Sequence, residues 1–528
     1  MKWTLEAEDL LKRVPPFVRF TVKTRIEELA QELGQEIVTR EIVREAYRRF
    51  KGKGAKKHLD DYNPNLGKLD RKTSRLHREK KVKPEDFFAR EGRDPLRYAF
   101  PKKEAVHAFP PGESLSEEEA LKAWNKLSRE EDPSPPGYRS VYVHFPFCIS
   151  RCLFCGFYMY GYSEEKVIKY IEALTEEIKK GKDLPVVSSR PIQAVYLGGG
   201  SPSALPPHLI EKLLDSLRRY LPLANDVEIT METRVIDITP DKVSAWFSNG
   251  VTRVSVGVQS FGTEIRQRMG RKASRKQILA ALELLVSQDK APVIVDLIYG
   301  LPGQTLGTWE KDLRTLIEET NVQGVDVYQL NIYRGGLLAR AIEEGKVQAP
   351  ADIPGQAEMF ALAREMLLSH GFRRLSVCHF ARDTRERNLY NRLAKLGATC
   401  IPFGCGAGGR IKGYSFFQEG DFWGYIEKVN QNQKPIAAGF KFGEKAGLLW
   451  ALAGRIDELN LNLKDLGRKH GEDIERLFKP LLKQWERVGL VELLPDGRVI
   501  FTPAGEFWST TLAQRLIDYY QIIKGGAV

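Results

Sequence analysis

Between about residues 140 and 332 the spacing of apolar positions switches repeatedly between two periods. SVYVHF (140–145) reads as a strand, and Val167, Ile171, Leu174 and Ile178 then recur on one face of a helix. QAVYL (193–197), a helix near 207–220, VEITM (227–231) and a helix near 240–248 continue the alternation. RVSVGV (253–258), a helix near 275–288, VIVDLIY (293–299), a helix near 306–318 and VDVYQLNI (325–332) complete it. Six strand–helix units with short connections predict an α/β fold, a parallel sheet with helices outside. Six units make a partial (βα)6 barrel, about three-quarters of the eight-unit kind.

The flanking segments carry other patterns. Leu10, Leu11 and Val14 close a short helix, and Val18, Val22, Ile26, Leu29, Ala30 and Leu33 recur at helical spacing before Gly34 as a stop. Thr39 is placed to cap a third helix bearing Ile42, Val43, Ala46 and Phe50. Residues 1–52 thus predict a small helical module that buries little alone, fit for docking or ligand contact. Residues 53–93 read as a basic linker, the stretch 51–93 holding 14 Lys or Arg against 7 Asp or Glu. Residues 94–139 lead into the catalytic region, the barrel spans 140–350, and 351–439 is expected to cover the substrate. That last segment looks helical over 355–370 and irregular, rich in Arg and Gly, over 372–415. In 440–528, helices precede GLVELLPDGRVIFTP, a hairpin with a Pro-Asp-Gly turn, and a last helix starts near 505. This predicts a small winged-helix-like α+β domain whose default role is packing or substrate covering.

Composition narrows the class. A chain of 528 residues with 42% hydrophobic and 28% charged residues fits a soluble globular protein. It has no apolar run long enough for a membrane span, and MKWTLEAEDLLKRV lacks an apolar signal core. A cytoplasmic location is expected. The net charge of +12 fits nucleic acid, acidic small ligands or a solvated basic surface; much of the excess is local to 51–93, and no specific nucleic-acid partner is expected. Six cysteines in such a chain argue against a disulfide framework, so clustered ones point to a metal or to catalysis.

Three of them, Cys148, Cys152 and Cys155, follow the first strand directly in VHFPFCISRCLFCGFYMYG, spaced C-x3-C-x2-C. In a parallel barrel the loops after strands build the active face. Structural zinc wants four ligands, and no nearby Cys or His follows to supply the fourth. Iron–sulfur clusters also take thiolates, usually four. Three thiolates on a four-iron cluster leave one iron open, and an open metal position is what a catalytic centre needs.

This motif after the first strand of a six-unit chain resembles the radical S-adenosylmethionine (SAM) superfamily. The resemblance implies a 4Fe–4S cluster on Cys148, Cys152 and Cys155, with the open iron chelated by SAM's amino and carboxylate groups. It implies that an electron from the cluster cleaves SAM to methionine and a 5′-deoxyadenosyl radical. YVHFPFC, with Tyr142 and His144, resembles the branch containing oxygen-independent coproporphyrinogen oxidase. In Gly198-Gly199-Gly200-Ser201-Pro202-Ser203 the glycines let backbone amides approach a ligand closely; Gly199, Gly200 and Ser201 fall where the family meets SAM's amino end. Glu232 in EITMETR, Gln259 in VSVGVQSF, Arg271 in the next helix and Asp296 in VDLIYGLPGQ fall at the family's SAM contacts, with Tyr142 beside them. Phe154 matches the aromatic that packs by the adenine.

CGFYMYGY, LPLANDVEIT, VGVQSFGTEIRQRMGRK, LPGQTLGTWEKDL, DPLRYAFPKKEAVHAF (94–109) and RERNLYNRLAKLGATCIPFGCGAGG (385–409) resemble the haem-utilisation group known as ChuW/HutW. The resemblance implies a class C radical SAM methyltransferase. Such an enzyme uses two SAM molecules to methylate haem and open it without oxygen to a linear tetrapyrrole, releasing iron. It further implies an electron donor such as flavodoxin or ferredoxin, and a monomer. Coproporphyrinogen oxidase has another cysteine two residues after the third ligand; Phe157 stands there in this chain, as in the haem-utilisation group and the related haem chaperones. Residues 3–46 resemble the small helical domain of a light-independent protochlorophyllide reductase subunit, either a second tetrapyrrole-related element or a docking module without ligand contact.

Cys378, His379, Arg385, Arg387, Tyr390 and Cys405 cluster in 378–405. Arginines suit the two propionates of a porphyrin. His379, Cys378 and Cys405 are candidates to touch haem iron or deliver a hydrogen atom. Tyr328, Tyr333 and Arg334, at the end of the sixth strand, are candidates to line the substrate cavity. No C-x-x-C-H is present, so covalent haem attachment is not indicated. The rival readings are a haem chaperone, a radical SAM enzyme modifying another porphyrin such as coproporphyrinogen, and a basic nucleic-acid binder indifferent to Cys148→Ala.

Overall fold

A computed structural model describes residues 1–12, 16–49, 84–103, 107–131 and 137–524. The chain divides into two units, within 1–69 and 70–528. Most of the basic linker, together with Val14 and Phe50, lies outside the described residues. In the first unit, helices Leu5–Lys12, Pro16–Glu32 and Arg40–Arg49 surround a core of Ala7, Leu11, Ile26, Leu29, Ala30, Val38, Ile42 and Ala46. Thr39 immediately precedes the third helix, where its carbonyl accepts from Val43 N–H at 3.2 Å and its side chain bonds the Glu41 carboxylate. Two short parallel strands, Lys2–Trp3 and Ile37–Val38, tie the ends of the unit together. The sequence pattern gave no sign of them.

The second unit is built on six parallel strands in chain order: β1 (Arg139–Phe145), β2 (Ile192–Gly199), β3 (Leu223–Arg234), β4 (Arg253–Gln259), β5 (Val293–Tyr299) and β6 (Gly324–Gln329). Helices α1 (Glu164–Gly181), α2 (Pro207–Tyr220), α3 (Pro240–Ser248), α4 (Arg275–Val286) and α5 (Leu306–Glu319) link them. Strand alternation sorts the side chains. Val141, Val143 and Phe145 join the core that also holds Val167, Ile171, Leu174 and Ile178 of α1, while Tyr142 and His144 face the other way, toward Tyr196 and Gly199. Local chemistry starts the helices: Ser274 and Thr305 form capping boxes for α4 and α5, and Asp352 caps α6 (Ile353–Ser369).

The sheet continues past both edges of the arc. On one side β6 pairs antiparallel with β7 (His379–Ala381). On the other, β1 pairs parallel with β8 (Thr399–Phe403), followed by antiparallel β9 (Gly408–Ile411), β10 (Tyr414–Gln418) and β11 (Ile436–Phe442). The expectation of an irregular 372–415 is therefore corrected. Its strands are two to five residues long, too short to show a period of two among the glycines. Beyond Ala446–Asp457, the hairpin Val491–Leu493/Arg498–Phe501 joins Leu461–Asn462 in a three-stranded sheet flanked by helices. Among the described residues no helix is long and apolar enough to cross a membrane.

Between β7 and β8 the chain turns beneath the barrel. Glu228 of β3 accepts from the backbone N–H groups of Leu389 and Tyr390 at 2.8 and 3.4 Å, seating the start of α7 (Leu389–Lys395). Asn388 precedes it at a φ of +48°, a conformation Asn tolerates. Next to this plug lies a buried ion cluster. Arg253 of β4 donates from Nε to both oxygens of Glu386 at 3.1 Å. His379 lies 2.8 Å from Asp326 through Nδ1 and 3.0 Å from Glu386 through Nε2. Both His379 and Glu386 side chains are 0% exposed. Burial opposes charge on His379, yet Asp326 and Glu386 carry it up to about 9. Burial likewise opposes charge on Glu386, yet Arg253 and His379 hold it down to about 2.

Glu386→Ala would leave Arg253 and His379 buried without their partner, and we expect a loss of about 3–5 kcal/mol in denaturant unfolding. The pH profile carries its own sign. His379 titrates at 6.5 unfolded and about 9 folded, so its contribution is complete below 6.5 and fades as pH rises through about 9. Glu386 contributes fully above 4.5 and loses its contribution as pH falls toward about 2. The urea midpoint should decline on both sides of that window, and His379→Gln should flatten the alkaline limb.

Candidate active site

The cysteine loop leaves the C-terminal end of β1. Phe147–Cys148 pairs with Tyr160–Gly161, closing the loop at its base. Arg234, at the end of β3, donates to the Ser150 carbonyl at 3.0 Å and to Ser150 Oγ at 2.7 Å. Leu153 N–H donates to Met269 O at 3.2 Å, and Leu338 N–H donates to Leu153 O at 3.1 Å. These ties span the loop from Cys148 to Cys155. Cys148 and Cys152 are 7% and 6% exposed; Cys155 is less enclosed and accepts from Phe157 N–H at 3.3 Å. None of the six cysteines is part of a disulfide among the described residues. Burial, and next the neighbouring Cys155, push the Cys148 thiol up to about 11, against a bond from Ser201. Among the described residues no three His, Cys or carboxylate groups close on a single ion. A cluster of several irons does not require that convergence, and thiols that burial keeps protonated give up their protons to a metal.

The glycine turn after β2 lies against this loop. Gly200 N–H donates to Phe145 O at 2.6 Å, Ser201 N–H to Phe147 O at 2.8 Å, and Gly199 N–H to Glu232 Oε2 at 3.1 Å. The protein itself thus uses all three of these N–H groups. The glycines serve close approach instead: a Cβ on Gly200 would strike Phe147 O, and one on Gly199, at a φ of +103°, would strike the His144 ring. Ser201 Oγ lies 3.9 Å from Cys148 Sγ.

Below the turn the barrel is hollow. Tyr328 keeps 40% of its surface accessible although Asp326, Cys378, Asp296 and Tyr196 surround it. Tyr196 Oη donates to Glu232 Oε1 at 2.7 Å, and Ser255 Oγ donates to Asp296 at 3.1 Å. Burial raises the Glu232 carboxyl, and burial with the charge of Asp326 raises Asp296 to about 7. Tyr142 bonds His144 Nδ1 at 3.0 Å and stacks on Tyr196 at 6.3 Å. At the mouth, Gln259 ends β4 with a φ of +72°, at a register shift against β5. Backbone strain of this sort collects where a side chain must be re-aimed. Arg271 was expected in a helix; it lies in the loop between Thr263–Arg268 and α4, donating to Gly257 O at 2.6 Å with its guanidinium 5.8 Å from the Phe154 ring.

Tyr142, Phe154, Gly199, Gly200, Ser201, Glu232, Gln259, Arg271 and Asp296 thus gather with the three cysteines at one end of the barrel. The 378–405 candidates disperse. His379 is corrected as a haem contact, since both ring nitrogens face carboxylates in a sealed site. Cys405 is corrected as well: it is 0% exposed, and its N–H donates to Tyr170 Oη behind the loop. Arg385 and Arg387 pair with Asp289 and Asp226, at the strand ends opposite the cysteine loop, too far round to meet a propionate there. Cys378 borders the hollow 3.8 Å from Asp326, and Tyr390 enters it, with its ring 4.7 Å from Tyr196. Tyr333 packs on Gly156 beside Cys155. Arg234 and Tyr196 escaped the sequence reading. Arg234 stands two residues after Glu232, on the same face of the strand, and that spacing was the available signal.

Six parallel strands with three thiols on the loop after the first define a radical SAM enzyme. Residues 142–316 match the Radical SAM superfamily model, and residues 3–46 match the model described as Proto-chlorophyllide reductase 57 kD subunit. The chain belongs to the same family as anaerobilin synthase of Escherichia coli O157:H7, to which it is 35% identical over 84% of its own length and 96% of that protein. It is also 25% identical to heme chaperone HemW of Bacillus subtilis (strain 168), over 67% of this chain and 92% of that one. Its fold is that of coproporphyrinogen III oxidase (HemN) from Escherichia coli, with a TM-score of 0.68 and 22% identity over 78% of this chain and 97% of that chain. Membership brings a 4Fe–4S cluster and SAM. The thiols fit the first and the acid-lined hollow fits the second.

Gly200→Ala should push the turn off Phe147 and displace Cys148. We expect iron content after anaerobic reconstitution to fall toward that of Cys148→Ala, while Ser203→Ala, farther along the same turn, retains it.

Proposed function

We propose that this enzyme acts on haem or a closely related tetrapyrrole, using two SAM molecules to transfer a methyl group and open the ring, with release of iron. The observation that carries the reading is the alignment with anaerobilin synthase over 96% of that protein, including the cysteine loop and the turn after β2. In this reading Cys148, Cys152 and Cys155 hold the cluster, which when bound supplies the electron that cleaves SAM. The turn after β2 offers carbonyl oxygens to SAM's ammonium group, since its N–H groups are already taken. Glu232, held by Tyr196 and Gly199, lies beneath with lone pairs to spare. Arg271 faces the carboxylate, Phe154 the adenine, and Gln259 and Asp296 the sugar side. Tyr142 closes the inner wall. Tyr328 and Tyr333 line the approach of the tetrapyrrole, and an external one-electron donor recharges the cluster. We take the enzyme to work as a cytoplasmic monomer.

The test is anaerobic incubation of the reconstituted protein with SAM, reductant and haem. We expect loss of the haem absorption band and a methylated linear tetrapyrrole by mass spectrometry, with 5′-deoxyadenosine and S-adenosylhomocysteine. An intact haem band with tight binding and little SAM turnover would overturn the reading in favour of a haem chaperone. Turnover of coproporphyrinogen in preference to haem would move the substrate instead.

A further inference from the structure

The sheet that extends β1 has two unlike faces. Residues paired in register share a face. Tyr142 pairs with Pro402 and Ser140 with Cys400, so the hollow-facing side of β1 continues onto β8. Cys400 pairs with Arg410, Arg410 with Ser415 and Ser415 with Phe440, which carries that side across β9, β10 and β11. On the other face Ile401, Phe403, Ile411 and Phe416 are buried in the core. On the hollow-facing side Phe417, Phe440 and Phe442 are only half-buried. The Phe417 and Phe440 rings meet edge to face at 6.1 Å. Phe442 lies 5.7 Å from Trp450, also half-buried, on the helix Ala446–Asp457. Half-open aromatic side chains beside a cavity are the common lining of a ligand site.

Arg410 stands on this wall without an acid. Its Nη2 donates to the Ala394 carbonyl at 2.7 Å, and its guanidinium lies 4.7 Å from the Trp450 ring. Among the described residues no carboxylate pairs with it. Burial lowers its pKa, and the groups opposing that are the Cys400 thiol and the Tyr390 phenol. Asp457, at the end of the Trp450 helix, is already paired with Lys395. Trp450 lacks a partner too: its Nε1 is buried with no acceptor among the described residues. Nearly all buried donors find one. A guanidinium and an indole N–H side by side, each short of an oxygen, suit a carboxylate. The pair adjoins the hollow. Cys400, opposite Arg410, lies 3.6 Å from Oη of Tyr390, whose ring enters the hollow against Tyr196. Arg410 stands two residues below the level of Tyr142, about 7 Å along the strand.

We propose that Arg410, backed by Trp450, binds a carboxylate of the tetrapyrrole, and that Phe417 and Phe440 support one face of its macrocycle. The assignment rests on the tetrapyrrole reading, and not on methyl transfer or ring opening.

The test titrates the reconstituted full chain, without SAM or reductant, with haem and with haem dimethyl ester, whose carboxylates are masked. The haem absorption band reports binding. We expect wild type to bind the diester about tenfold or more weakly than haem. Arg410→Gln should weaken haem by about the same factor and leave the diester unchanged, so that discrimination is lost. Arg410→Lys should keep part of it. Arg385→Gln, at the strand ends opposite the cysteine loop, should discriminate as wild type does. Phe417→Ala should weaken haem and diester together by about fivefold. Discrimination that persists in Arg410→Gln overturns the proposal, as does a wild type that binds both ligands alike. Equal loss of haem and diester in Arg410→Gln, with a lowered urea midpoint, overturns it too and makes Arg410 a cap on α7. Full affinity in Phe417→Ala overturns the aromatic wall. Haem bound with discrimination but never turned over upholds the subsite while the ring-opening reading fails. A wild type that binds neither ligand removes the tetrapyrrole and overturns both.

Discussion

The ion cluster of Arg253, Glu386, His379 and Asp326 is the constraint on which the second unit turns. Its members come from β4, β6, β7 and the turn before α7, so the cluster forms only when distant parts of the chain have met. Charges out of water are costly unless every partner is in place. That requirement makes the arrangement nearly all-or-none. It also seals the bottom of the barrel, because Glu386 leads directly into Asn388 and the helix seated on Glu228. A six-strand arc does not close on itself. Here the gap is managed by extending the sheet at both edges and plugging it from below, which leaves the hollow open toward the cysteine loop.

The hollow is unusual in what it contains. Glu232 and Asp296 are raised by burial, and Asp296 also by Asp326 nearby, so the site penalises its own negative charge. A ligand carrying positive charge relieves that penalty, and SAM brings both a sulfonium and an ammonium group. The thiols show the same economy from the other direction. Burial keeps Cys148 and Cys155 protonated in the absence of metal, and iron is the partner that makes their thiolates stable there. Both halves of the site are thus electrostatically incomplete alone, and each is complemented by a cation.

Much of this was legible. The alternation of periods located all six barrel strands and their helices within a few residues, because buried parallel strands and amphipathic helices leave long, regular signals. The C-x3-C-x2-C loop was legible because the metal chemistry fixes its spacing. What failed to show depended on pairing across the chain. His379 looked like a free imidazole until β7 brought it against Asp326, and Glu386 was lost among neighbouring charges. Arg385 and Arg387 looked suited to propionates because sequence proximity to Tyr390 says nothing about which end of the barrel each side chain reaches. The glycine turn was legible as a place of close backbone approach, but the uptake of its N–H groups by β1, the cysteine loop and Glu232 depends on pairing across the chain.

Three thiolates, where four would close a cluster, also acquire a geometric sense. Cys148 lies on the side of Ser201 and the hollow, while Cys155 lies toward the exposed Phe157. A loop fastened by Arg234, Met269 and Leu338 has little freedom to turn over, so each side keeps its own surroundings. The missing ligand is useful only if the open position faces the residues that hold SAM, and electrons then have to arrive from elsewhere.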